Sequence, residues 1–158
     1  MRQSLKTIDA HVAGEPLRLI VEGMPRPSGK TMAQKRDWME RHADDLRRAL
    51  VLEPRGHRDM CGAVFTEPVS PGSDAGVIFF HNEGYPAMSG HGAIAAATIA
   101  LERNLLPVVS SDIGRQEVAV VFDTVAGTVH VRPRLQTRGD SYTVDSVMFT
   151  NVPSFVWS

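Results

Sequence analysis

Four residues, Ser89-Gly90-His91-Gly92, stand directly before the small apolar run AIAAATIAL (93–101). Serine is a favoured helix N-cap, because its hydroxyl accepts from an amide of the first turn. The first amides of a helix have no intrahelical partner and carry partial positive charge, so they bind carboxylates and phosphates. Glycines at 90 and 92 let a ligand come close to that backbone. A carboxylate docked on the Gly90, His91 and Gly92 amides would place its Cα beside Ser89. As that Cα lost its proton, the same amides would stabilise the enolate-like charge. Ser89 is thus a candidate proton-transfer group. The structural alternative is a plain N-cap, worth about 1 kcal/mol, followed by a glycine turn, and spacing alone does not separate the two. The stretch lacks the spacing and lysine of a phosphate-binding P-loop. It is not a GxSxG nucleophile elbow either, since Ala87 stands two before the serine.

Such a site needs elements to hold it. Small apolar residues cover nearly the whole circumference of the helix expected over Gly92–Arg103, which predicts burial on all sides. A second helix is expected over Thr31–Leu50, with Trp38, His42, Leu46 and Leu50 on one face and charges elsewhere, lying on a sheet. Alternating or β-branched runs predict strands at Leu5–Ile8, Leu17–Val21, Ala63–Thr66, Gly76–Phe80, Glu117–Phe122, Thr128–Arg132 and Tyr142–Phe149. Loops are expected at MPRPSGK, EPVSPGSD and RLQTRGDS. The order predicts an α+β fold, a curved mixed β-sheet wrapped around a buried central helix, in one domain over residues 1–158.

Composition narrows the function. At 158 residues, 42% hydrophobic and 22% charged, the chain is long enough for one ordinary core. A net charge of −1 gives no electrostatic case for nucleic acid or an anionic membrane. The longest apolar run is too short to span a bilayer, and the first residues lack the apolar segment of a signal peptide. The single cysteine, Cys61, excludes an internal disulfide and fits the reducing cytoplasm. Six scattered histidines show no metal-ligand spacing, so no metal is expected.

The motif MSGHGAIA resembles the M-C-G-H-G/A motif of the proline racemase family, with Ser89 where many members carry a catalytic cysteine. DAHVAGEPLRLIVEGMP, EPRGHRDMCGAV, VIFFHNEGY and the closing NVPSFV are similar to other blocks of that family, in the same order. The resemblance implies a cofactor-independent enzyme of the diaminopimelate epimerase-like fold, built of two α/β halves with the active site between them. One half supplies an acid/base group from the M-C-G-H position, the other a cysteine or threonine on the opposite face of Cα. Substrate carboxylate is held by amides at both central-helix N-termini. Carried onto this chain, the catalytic residue is Ser89, and Gly90, His91, Gly92 and Cys61 bind substrate. The position of Cys61 is usually aromatic or aliphatic in the family and packs against the substrate ring.

The departures carry expectations of their own. A hydroxyl is a weaker acid than a thiol, whose ordinary pKa is about 8.5, so Ser89 needs a neighbour or the helix dipole to activate it. The chain stops where the family's second half would begin, so it is read as an N-terminal half whose exposed apolar face, with Phe149, Phe155 and Trp157, favours a homodimer or another association. EPRGHRDM and HNEGY look more like the trans-3-hydroxy-L-proline dehydratases. The expected reaction is dehydration of trans-3-hydroxy-L-proline to pyrroline-2-carboxylate; 4-hydroxyproline 2-epimerase and proline racemase are the alternatives. A non-catalytic half-enzyme is the alternative from another class, and an in-frame second half beyond Ser158 would decide against it. His57 and Asp59 are expected to order the EPRGH loop, Glu83 and Tyr85 to shape the turn before the motif. His11 is either near the cleft or structural, and Arg55 is open between carboxylate partners.

Overall fold

A computed structural model describes residues 4–106, 117–138 and 141–153, without the side chains of 137, 138 and 141. The elements in order are β1 (Lys6–Val12), β2 (Glu15–Glu22), α1 (Met32–His42), α2 (Asp44–Val51), β3 (Cys61–Thr66), β4 (Ala75–His81), α3 (Gly90–Glu102), β5 (Val120–Thr124), β6 (Gly127–Arg138) and β7 (Ser141–Thr150). All seven strands form one sheet in sequential order. Pairing is antiparallel except for β2 with β3 and β4 with β5, where helices make the crossovers. The expected α+β fold is present, a curled mixed sheet around a central helix.

Side-chain alternation decides what each face of the sheet carries. Cys61 and Ala63 of β3, and Ala75, Val77 and Phe79 of β4, turn to the concave side and pack with α3. Val64, Ile78 and Phe80 turn the other way, against Met32, Met39, Leu50 and Val51 of α1 and α2. With both faces covered, these two strands read as near-continuous apolar runs. Helix α3 touches β1, β2, β3, β6 and β7 and buries Ala93, Ala95, Ala96, Ala97, Ile99, Ala100 and Leu101. Its small side chains let the sheet close around it. No helix among the described residues is long and apolar enough to cross a membrane.

Three expectations need correction. The single helix over Thr31–Leu50 is two helices, because Ala43 leaves helical geometry at φ −141° and ψ 16°. Asp44 and Asp45 then stand in the first turn of α2, where negative charge suits a helix N-terminus. Of the expected face, Leu50 is buried and Trp38 and Leu46 pack against the same core, beside Met32, Lys35 and Met39, while His42 is exposed and stacks on Trp38 at 4.8 Å. The segment RLQTRGDS is mostly strand. β6 runs to Arg138, and Leu135 pairs with Val144 after a register shift at Arg134/Leu135. The shift and Pro133 interrupt the alternation that would have marked the strand. Finally, Phe149 is half-buried against the α3 core rather than exposed; Phe155 and Trp157 lie outside the described residues.

Candidate active site at the N-terminus of the central helix

Ser89 is the N-cap of α3. Its backbone is extended, at φ −138° and ψ 119°, and its Oγ accepts from the Gly92 amide at 3.2 Å. Gly90 and His91 are the first two residues of the helix, so their amides have no intrahelical carbonyl to meet. Gly92 is required by packing. A Cβ there would lie 2.8 Å from both the Phe79 ring and Ser89 Oγ. Helix and strand β4 approach so closely that any larger residue would displace the candidate hydroxyl.

Two side chains flank Ser89 Oγ. His91 Nδ1 lies 3.4 Å away, and the other ring nitrogen, Nε2, is buried with no partner among the described residues. Cys61 Sγ lies 4.0 Å away. Burial pushes the Cys61 thiol above its usual range, and contact with Ser89 only partly offsets this. A raised pKa keeps the thiol in its neutral form, the poorer nucleophile.

These residues line a cavity of ≈ 360 Å³ together with Asp59, His81 and Asn82. Its outer wall is the 81–85 turn, which is held from below. Arg47 of α2, itself 7% exposed, donates to the His81 and Asn82 carbonyls at 2.7 and 2.8 Å and pairs with Asp44 at 2.6 Å. Hydrogen bonding to Arg47 holds the Asp44 carboxyl below the ordinary carboxylate range despite partial burial. Tyr85 packs beneath Arg47, and burial pushes its phenol up to about 12. Asn82 in turn donates to the Val51 and His57 carbonyls, tying the turn to the loop before β3.

The fold therefore brings Ser89, His91 and Cys61 together from two elements 28 residues apart. Asp59 also reaches the cavity, whereas His57 is exposed with Nδ1 2.6 Å from the Arg58 carbonyl. His11 accepts from the Gly14 amide at 3.3 Å in the β1–β2 turn and does not line the cavity. Arg55 donates to the Ala49 carbonyl at 2.8 Å. Sequence reasoning missed His81 and Asn82 as lining residues. The signal was available: His81 ends a strand whose odd positions, 75, 77 and 79, face α3.

The chain matches the proline racemase family over residues 7–158. It belongs to that family. Within the proline racemase family it is 44% identical over 155 residues to the trans-3-hydroxy-L-proline dehydratase of Burkholderia cenocepacia, covering 98% of this chain and 44% of that protein. The same figures hold for the 3-hydroxyproline 2-epimerase of Burkholderia multivorans. Among solved structures, a hydroxyproline epimerase from Agrobacterium vitis with bound trans-4-hydroxy-L-proline superposes with a TM-score of 0.81 at 29% identity, covering 96% of this chain and 42% of that one. The chain thus spans less than half the length of the proline racemase relatives it matches.

Proposed function

We propose that this chain forms one half of a cofactor-independent site that removes the Cα proton of a hydroxyproline, with Ser89 as the proton-transfer group. The observation that supports this reading is Ser89 at the N-cap of α3, between the Gly92 amide and His91 Nδ1, on the wall of a cavity that also holds Cys61.

The substrate carboxylate docks on the Gly90 and His91 amides, which sets Cα beside Ser89 Oγ. The Cα proton passes to Oγ as the hydroxyl's own proton passes to His91 Nδ1. The electron pair left on Cα spreads into the carboxylate, where the helix amides stabilise it. In dehydration that pair then forms the Cα–C3 double bond and the C3–O bond breaks. The hydroxide leaves as water on taking a proton from the second half, and the enamine tautomerises to pyrroline-2-carboxylate. Accepting from Ser89 requires the His91 proton to sit on Nε2. A buried N–H without a partner costs about 1–3 kcal/mol, which makes the ring the readier to rearrange when an acceptor arrives.

Dehydration is favoured over epimerisation because abstraction needs one face only, and serine at 89 is a weak acid for delivering a proton back. The 44% identity to a dehydratase supports this. Equal identity to a 3-hydroxyproline 2-epimerase supports the second reading, inversion at Cα, with 4-hydroxyproline 2-epimerase and proline racemase as its variants. Cys61, buried against Ser89, packs on the ring, and its free thiol suits a cytoplasmic setting. Phe149 on β7 has its ring edge 3.3 Å from the point a Gly90 Cβ would occupy, at the start of α3. Association there with a second α/β half, or a second copy, would close the site. The test is to assay residues 1–158 joined to such a second half against trans-3-hydroxy-L-proline, 4-hydroxyproline and proline. Pyrroline-2-carboxylate from the first is expected. Inversion of the substrate's Cα without water loss would establish the epimerase reading instead, and no reaction with any would leave the non-catalytic half-enzyme.

A further inference from the structure

We infer that His81 reads the ring hydroxyl of the substrate, donating to it from Nε2 as a neutral imidazole. This rests on the imino-acid reading of the cavity and adds the residue that tells a hydroxyproline from a proline.

The tautomer is set by the backbone. The Glu83 amide donates to His81 Nδ1 at 3.0 Å. An N–H needs a lone pair opposite it, so Nδ1 is unprotonated and the neutral ring carries its hydrogen on Nε2. The turn that makes this bond is itself fixed. The His81 amide donates to the Gly84 carbonyl at 2.8 Å, and Arg47 holds the carbonyls of His81 and Asn82.

Position follows from register. His81 continues the row Ala75, Val77, Phe79 that faces α3, and its direct partner on β3 is Cys61. Directly opposed residues of an antiparallel pair project to one face, with Cβ atoms about 4.5–5.5 Å apart. Cys61 Sγ in turn lies 4.0 Å from Ser89 Oγ. His81 therefore stands one cross-strand step beyond the residue that flanks Ser89 and lines the same cavity. No described residue accepts from its Nε2–H. A ring hydroxyl would accept from it in place of water and could donate to Asp59 or Glu83 on the same wall.

The test uses the purified chain titrated with trans-3-hydroxy-L-proline and with L-proline, followed by amide signals of residues 89–92. His81→Phe should weaken trans-3-hydroxy-L-proline roughly three- to tenfold, the worth of one neutral hydrogen bond, and leave L-proline unchanged. His81→Gln, which keeps a donor, should recover part of the preference. Long-range nitrogen spectra of the unmutated ring give a readout independent of variant folding. They should show the Nε2–H tautomer, with Nε2 shifting on addition of the hydroxylated ligand alone. An unchanged preference in His81→Phe, or a proton on Nδ1, would overturn the inference while leaving the imino-acid reading intact. If neither ligand moves the signals of 89–92 in the unmutated chain, the reading of the cavity fails and this inference with it.

Discussion

The Cys61 sulfur lies 4.0 Å from the Ser89 hydroxyl oxygen, across the floor of one cavity. A thiol at 89 would stand within a small side-chain rotation of disulfide geometry. We expect Ser89→Cys to lose both free thiols on incubation with oxidised glutathione without gaining a glutathione adduct, by thiol titration and intact mass, while Ser89→Cys/Cys61→Ala forms at most a mixed disulfide with glutathione. Two persistent thiols in the single variant would contradict the placement of Cys61 beside Ser89.

The roles proposed for the two residues differ. In the protein joined to a second half, Ser89→Ala should lower turnover by about 10²–10⁴-fold, as expected for loss of a proton-transfer group. Cys61→Ala should keep most of the turnover and raise the Michaelis constant, as expected for loss of uniform binding. Steady-state kinetics of both variants check this, and the reverse ranking would reassign the site.

Gly92→Ala tests the close contact of α3 with β4. The added methyl meets the Phe79 ring and Ser89 Oγ at 2.8 Å. Overpacking of this kind costs roughly 1–3 kcal/mol. Denaturant melts should show that loss, and ligand binding at Ser89 should weaken as well.

Asp123 should make stability sensitive to acid. Its carboxylate is buried, which pushes its pKa up, but the Ser70 and Val69 amides at 2.7 Å and the Ser73 hydroxyl at 2.9 Å pull harder, and the net shift is below the ordinary 3.8. A carboxyl whose folded pKa is depressed contributes its full stabilisation above the unfolded value. That contribution is lost as pH falls below 3.8 through the folded value. Thermal melts between pH 7 and pH 2 should show this loss, and Asp123→Asn should be less stable at pH 7 with a shallower fall in acid.

The central helix was legible because two signals agreed, a serine cap with flanking glycines and a run of small apolar residues with no polar face. The sheet was legible wherever alternation was clean. Ala43 was not, since alanine is the best helix former and only the acidic pair Asp44-Asp45 after it hints at a new helix start. The strand through Arg134–Arg138 was hidden by a register shift. At the site, Ser89, His91 and Cys61 were readable from motifs. His81 was missed although the alternation of β4 turns it toward α3, and Asn82 was not readable, because its turn is held by a buried arginine 35 residues away in sequence.

The account's central claim is that the N-terminus of α3 receives a carboxylate beside Ser89. Pyrrole-2-carboxylate, planar at Cα like the deprotonated imino acid, probes it directly. Titrated into the isotopically labelled chain, it should move the Gly90, His91 and Gly92 amide signals more than any others. A crystal soaked in it should show the carboxylate on the Gly90 and His91 amides, with the ring against Cys61. Binding elsewhere with the Gly90–Gly92 signals unmoved, or those amides found bonded to neighbouring backbone, would contradict the account.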